Sequence, residues 1–328
     1  MPSIRRRWAA SHDRWSKVAL VLAAIVIYST GCSRAPAPAG ITVVTTVAPI
    51  ADIVRTVTGS NARVIGLIPE GTDSHTFEPS PVTARSLSQA DVVFINGMHL
   101  EDPTTRLARA DMKPKARIVS LGERTIAPKD YEFDFTFPKE KGEPNPHLWM
   151  DPTLAKRYAE IVAATMSSID PKHAFLYRSR TASFAKKLAV LDEATRRCIE
   201  SIPPDTRKLL TYHDSFAYFS RRYGIPVIAA VQQSDMSEPS PREVASLIDQ
   251  IKASHVRAIF GSVAFSSKVL EEIATESGAR YVGSLSDDVL PGPIGSKDHT
   301  YLGMMINDVK ILTTSLGGDP SPLEQSGL

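Results

Sequence analysis

Cysteine is almost missing from this chain: Cys32 and Cys198 are the two among 328 residues. A disulfide-framed fold is excluded, and no C-x-x-C pair is available for a zinc ribbon or a redox motif. Long apolar runs are missing too. The main one, VALVLAAIVIY at residues 18–28, is eleven residues long, too short to anchor across a hydrocarbon core of about 30 Å. A surplus of one charge is the third absence. The full chain carries 38 Lys+Arg against 36 Asp+Glu, but five of the basic residues and one acidic residue lie in the first 31. The remainder holds 33 against 35, a formal charge of −2, which leaves no basic excess to neutralise phosphates and argues against nucleic acid as a partner. Compact metal-enzyme signatures such as H-E-x-x-H are absent as well.

What is there begins at the N-terminus. Arg5, Arg6, Arg7, Arg14 and Lys17 precede the apolar run, the layout of a secretory signal peptide over residues 1–31. The run ends in Ser29-Thr30-Gly31-Cys32, which resembles the lipobox of bacterial lipoproteins with Ser29 where leucine is usual. Cys32 is the expected lipidation site, and residues 32–40 (CSRAPAPAG) form a Pro/Ala tether rather than part of the fold. With Cys32 acylated, Cys198 has no partner and reads as a small buried residue on a helical pattern.

From Ile41 onward, short β-branched runs alternate with amphipathic stretches. Strands are expected at 41–47, 62–68, 91–95 and 117–121, and again at 207–212, 226–231, 257–260 and 280–285. Helices open at Ser80-Pro81 and at Ser240-Pro241-Arg242-Glu243, where a capping residue precedes proline at the first turn. This rhythm predicts two Rossmann-like α/β lobes with parallel sheets, at 41–169 and 204–328. Between them, residues 170–203 carry Phe184, Leu188, Leu191, Thr195 and Cys198 at helical spacing, closed by Pro203-Pro204. A rigid helix of about 30 residues, about 45 Å long, would join the lobes.

Three polar candidates lie just beyond carboxyl ends of expected strands, where open α/β sheets bind ligands: His75, His213 and the pair Asp287-Asp288. His147 sits in EPNPHLWMDP, fenced by Pro144, Pro146 and Pro152. Two candidates come from each lobe, so a site shared by all four would occupy the interlobe cleft. Three imidazoles and a carboxylate suit a borderline divalent cation such as zinc. Spacing alone does not require this, because the four stand 66 to 75 residues apart and any one could be a satisfied loop or core residue.

Six ordered stretches carry a resemblance. IPEGTDSHTFEPSP, ADVVFINGMHLED, NPHLWMDP, TYHDSFAYFSRRYGIPV, SEPSPREVASLIDQIK and SLSDDVL followed by TYLGMMINDV resemble the metal-binding solute-binding proteins of bacterial zinc and manganese ABC transporters, cluster 9 or cluster A-I. The resemblance spans nearly all of 41–316. It implies metal ligands at His75, His147, His213 and Asp288, with Asp287 as second choice. It implies Zn2+, or Mn2+ next, as cargo; His213 stands where some manganese-type members carry Glu, which tilts the reading to zinc. Asp73 and Glu78 are expected to orient ligand histidines through hydrogen bonds. Affinity is expected to fall as the histidines protonate near pH 6.5.

Two departures stand out. Ser74 replaces the usual proline before His75, which would loosen that loop, and residues 129–143 lack the His-rich insert of many zinc-specific members. His99 reads as a surface or structural residue, His173 and His255 as solvated helix positions, and His299 as a cap or exposed loop residue. Trp149 shields a metal or fills core, and Phe216, Tyr218 and Phe219 pack a helix. The protein implied is no enzyme. It is a monomeric, extracytoplasmic, membrane-tethered receptor serving an ABC permease and its cytoplasmic ATPase. The competing classes are an extracytoplasmic zinc-dependent hydrolase and a surface adhesin with an incidental metal.

Overall fold

A computed structural model describes residues 40–232, 239–263 and 268–328. The signal peptide, Cys32 and most of its tether lie outside the described residues, as does the start of the SEPSPREV stretch. Residues Ile41–Leu328 form one compact unit.

Strand β1 (Ile41–Thr45) is followed by α1 (Ala48–Thr58), β2 (Ala62–Gly66), α2 (Pro81–Gln89), β3 (Val92–Ile95), α3 (Asp102–Asp111) and β4 (Arg117–Ser120). All pairings are parallel, in the order β2-β1-β3-β4, with Ile41 opposite Ala62 and Val92 opposite Arg117. Beyond α4 (Pro152–Ile169) and α5 (Ala174–Ser201), the second half repeats the plan. β5 (Leu209–Thr211), α6 (Ala217–Tyr223), β6 (Val227–Ala230), α7 (Pro241–Ser254), β7 (Ala258–Ser262), α8 (Lys268–Ser277) and β8 (Arg280–Leu285) lead to α9 (Tyr301–Leu316). Its sheet has the matching parallel order β6-β5-β7-β8.

Several strands end one or two residues earlier than their apolar patterns suggest, because those residues already turn into the loops that carry the site, while β7 runs two residues further. The caps are as the sequence predicts: Ser80 accepts from the Thr83 N–H, Ser240 from Glu243, and Asp151 from Thr153 at the start of α4. The expected 30-residue helix is shorter. Pro171–His173 form a 3-10 turn, and α5 proper has 28 residues, about 42 Å at 1.5 Å per residue. Asp170 explains the change: its Oδ2 accepts from the Tyr177 hydroxyl at 2.7 Å and the His173 Nδ1 at 2.6 Å, tightening the first turn.

Strand alternation divides the core. Val43, Leu209 and Phe260 face a central apolar cluster, while their neighbours Val44, Leu210 and Ile259 face separate clusters on the outer sides. The central cluster is continuous from the first sheet through α4 and α5 to Tyr301, Met305 and Leu312 of α9. Buried Phe184, Leu188 and Leu191 of α5 belong to it, so the long helix is packed into both halves. In each sheet the order reverses beside β1 or β5, and the loops at those carboxyl ends meet between the lobes.

Candidate metal centre

His147 is fully buried at the bottom of this meeting point. Its Nε2 lies 3.3 Å from the Nε2 of His75, 2.9 Å from the Nε2 of His213 and 3.6 Å from Oδ1 of Asp288. One donor atom from each of the four residues falls within 4.8 Å of every other. Tetrahedral donors held at about 2.0–2.1 Å from a cation lie about 3.3–3.4 Å apart, close to the spacing seen here.

The sequence dictates how each ring is aimed. His75 and His147 both stand two residues after an Asx residue, in D-S-H and N-P-H. Asp73 Oδ1 accepts the His75 N–H at 2.9 Å, and Asn145 Oδ1 accepts the His147 N–H at 2.9 Å. Asn145 goes further: the same oxygen accepts from the His147 Nδ1 at 2.8 Å, which leaves the Nε2 lone pair facing the cluster. Its amide nitrogen donates to Asp134 Oδ2 at 2.8 Å and to the Asp214 carbonyl at 2.7 Å. The Tyr218 hydroxyl donates to the Asn145 carbonyl at 3.0 Å, so Tyr218 does more than pack its helix. Burial and the adjoining Asp214 carboxylate push Asp134 up to about 9, so Asp134 keeps its proton at neutral pH and shares it with Asp214.

Asp287 and Asp288 part company. Asp287 accepts from Ser262 at 2.8 Å and Ser215 at 3.0 Å, and its carbonyl accepts the Trp149 indole N–H at 2.9 Å. Its carboxylate is therefore a brace for the loop. Asp288 turns its unpartnered Oδ1 toward the histidines, while Oδ2 accepts from the Ser74 hydroxyl at 2.5 Å. Burial first, then the Asp287 charge, pushes the Asp288 carboxyl up to about 7.

Three expectations need correction. Ser74 does not loosen its loop: it is buried and ties the His75 loop to Asp288. Asp73 orients the backbone of His75 rather than its ring, and Glu78 is exposed, with no bond to a site histidine among the described residues. His75 and His147 do not titrate in the ordinary histidine range. Burial, reinforced by neighbouring imidazoles, holds His75 and His147 well below 6.5, so both stay neutral and ready to donate.

The surroundings settle the other candidates. Trp149 is fully buried with its ring 5.1 Å from that of His147, so it fills core and walls the site together. Phe137 covers the outer side, 5.6 Å from the His75 ring and 6.0 Å from the His147 ring. A cavity of about 240 Å3 outside it is lined by His75, Thr76, Met98, His99, Phe137 and Glu143. His99 turns Nδ1 to Asp102 at 3.1 Å. His255 ends α7 in the left-handed region, at φ 51°, rather than riding a helix face. His299 is not exposed: its side chain is 9% accessible, and Nε2 lies 2.8 Å from Glu70.

Asn145 is a functional candidate that sequence reasoning passed over, and Ser74 is one it noted with the opposite effect. The repeated Asx-x-His spacing was the available signal for the first. Nothing local announces the second, because its partner is 214 positions away.

Comparison with known proteins points the same way. The profile of the ZnuA family, zinc-uptake complex component A, periplasmic, matches residues 43–315. The manganese-binding lipoprotein MntA of Bacillus subtilis is 29% identical over 290 residues, covering 84% of this chain and 89% of MntA. The iron-binding protein YfeA of Yersinia pestis is 27% identical over 275 residues, covering 84% and 86%. Among solved structures, the periplasmic zinc-binding protein TroA of Treponema pallidum superposes with a TM-score of 0.77 at 26% identity, covering 84% of this chain and 99% of TroA.

Proposed function

Because this chain belongs to the periplasmic zinc-uptake component A family, we propose that it captures a divalent transition metal outside the cytoplasm and delivers it to an ABC permease. The observation that carries the reading is the convergence of His75, His147, His213 and Asp288 on one point between the lobes. Two donors come from residues 41–169 and two from residues 204–328, with 170–203 as the connecting helix, so a bound ion would tie the loops of the two lobes together.

The chemistry is coordination. Neutral imidazoles and one carboxylate replace the water shell of the cation, and binding displaces the proton that burial favours on Asp288. Zinc is favoured over manganese. Three nitrogens and a single available oxygen make a four-donor shell, and Ser74 occupies the second oxygen that a manganese site would recruit. A four-donor shell also leaves no open position for substrate water, which argues against a hydrolase. The relatives MntA, YfeA and TroA bind manganese, iron and zinc respectively.

Membrane attachment through Cys32 and a partnership with a permease and its ATPase complete the proposal; among the described residues no helix is long and apolar enough to cross a membrane. The receptor works as a monomer. The test is elemental analysis and isothermal titration of the metal-stripped mature protein with Zn2+ and Mn2+, beside His147→Ala. One ion per chain, bound tighter for zinc and lost in the variant, is the expected result. Absence of stoichiometric binding would overturn the assignment.

A further inference from the structure

His299 joins the two loops that carry ligands from opposite lobes. Its Nε2 faces Glu70 Oε1 at 2.8 Å, in the loop that runs from β2 to His75. Its Nδ1 faces the carbonyl oxygens of Pro291 and Gly292 at 3.3 and 3.2 Å, in the loop that runs on from Asp288. Both ring nitrogens therefore meet oxygen acceptors, one in each loop. The ring is nearly enclosed, at 9% accessibility, and the Glu70 side chain is 29% accessible, so solvent screens this pair less than a surface one.

We infer that His299 and Glu70 are positioning residues for the metal site: the link between their side chains holds the His75 loop against the Asp288 loop and thereby slows release of the ion. This rests on the metal-receptor reading above. The argument is mechanical. The ion can leave when the His75 loop and the Asp288 loop separate, and among the described residues few side chains bridge them outside the site itself. Ser74 ties the loops at the ion, where its partner is itself a ligand. The Glu70–His299 link ties them away from it, five residues before His75 and eleven after Asp288, without touching a donor atom. Other charged groups nearby are Asp52 of α1, whose carboxyl feels His299, and Lys297 and Asp298, which precede it in its own loop. Asp52 is already engaged by the Tyr301 N–H at 2.8 Å and so anchors the start of α9 rather than the ring.

The experiment follows release of Zn2+ from the loaded, mature protein by stopped-flow mixing with excess chelator. The variants are Glu70→Gln, His299→Gln, the pair together, and His299→Lys, which places a cationic donor opposite Glu70. Expected is a release rate about tenfold higher in either single variant, no further increase in the double variant, and substantial recovery in His299→Lys. Co2+ absorption of the loaded variants reads the donor set directly and is expected to keep the wild-type band positions, because no ligand is altered. A spectrum changed in either single variant would mean that the pair shapes the shell itself, and would overturn the inference. So would release rates equal to wild type, or single effects that simply add. Failure of the underlying reading looks different: the wild-type protein would then hold no stoichiometric zinc to release.

Discussion

Asn145 shows how much a candidate metal ligand owes to a residue that would never meet the ion. Its oxygen takes the His147 Nδ1 proton and the backbone N–H together, so tautomer and ring direction are fixed in one contact. Asn145→Leu, close in size but without an acceptor, is expected to weaken zinc binding about 10–100-fold, measured by chelator-competition titration. Unchanged affinity would mean the ring is held by packing against Trp149 alone. Ser74 makes a different kind of contribution, since its hydroxyl occupies one oxygen of Asp288. Ser74→Ala frees that oxygen, and manganese affinity is expected to rise against zinc by about tenfold, the equivalent of 1.4 kcal/mol, in paired titrations. At this scale the sequence was readable where chemistry is local. Strand ends and the family resemblance named the four candidates, and the resemblance chose Asp288 over Asp287; in the structure Asp288 is the one that turns an unpartnered oxygen toward the rings. The Ser74 bond and the shared proton of Asp134 and Asp214 depend on which loops meet across 214 and 80 positions, and no local pattern encodes that.

Helix α5 carries the argument at the scale of elements. Its buried positions recur at helical spacing, so its existence was plain in the sequence; its first turn was misjudged because a three-residue 3-10 segment and an α-helical turn share the same apolar pattern. Leu191 is fully buried in the central cluster, and Leu191→Ala is expected to destabilise the fold by about 2–5 kcal/mol in urea unfolding. Lys186→Ala, on the exposed face of the same helix, is expected to stay within about 0.5 kcal/mol. Asp192 gives this helix a pH dependence. Arg222 donates to it from α6 and the Tyr223 hydroxyl adds a bond at 2.9 Å; these outweigh burial and hold its carboxyl below the ordinary range. A carboxyl depressed in the folded state stabilises that state above its unfolded value of about 3.9, and the gain is lost as pH falls through the lower folded value. Wild-type stability is therefore expected to drop more steeply than that of Asp192→Asn between about pH 4 and pH 2, read from urea midpoints. Parallel slopes would show that the pair contributes nothing measurable.

For the whole molecule, the question is how a cleft site opens without a flexible hinge. Three features oppose wide opening. The central core runs unbroken from the first sheet to α9, and α5 is packed into it. Bonds cross between the halves on several sides of the site: Ser74 to Asp288, Trp149 to Asp287, Thr136 to the Gln232 carbonyl and Tyr301 to Asp52. Rigid-body closure would have to break several of these at once, whereas movement of the loops that carry His75 and Asp288 breaks few. Metal binding is therefore expected to leave the overall dimensions almost unchanged. A compact chain of this length has a radius of gyration of about 19 Å, and solution scattering is expected to show a change below about 1 Å between stripped and loaded protein. Hydrogen exchange is expected to slow on loading at residues 67–80 and 286–300, with the amides of α5 unaffected. A contraction well beyond 1 Å, or protection spread along α5, would assign release to separation of the lobes, and the connecting helix would then be the part that bends.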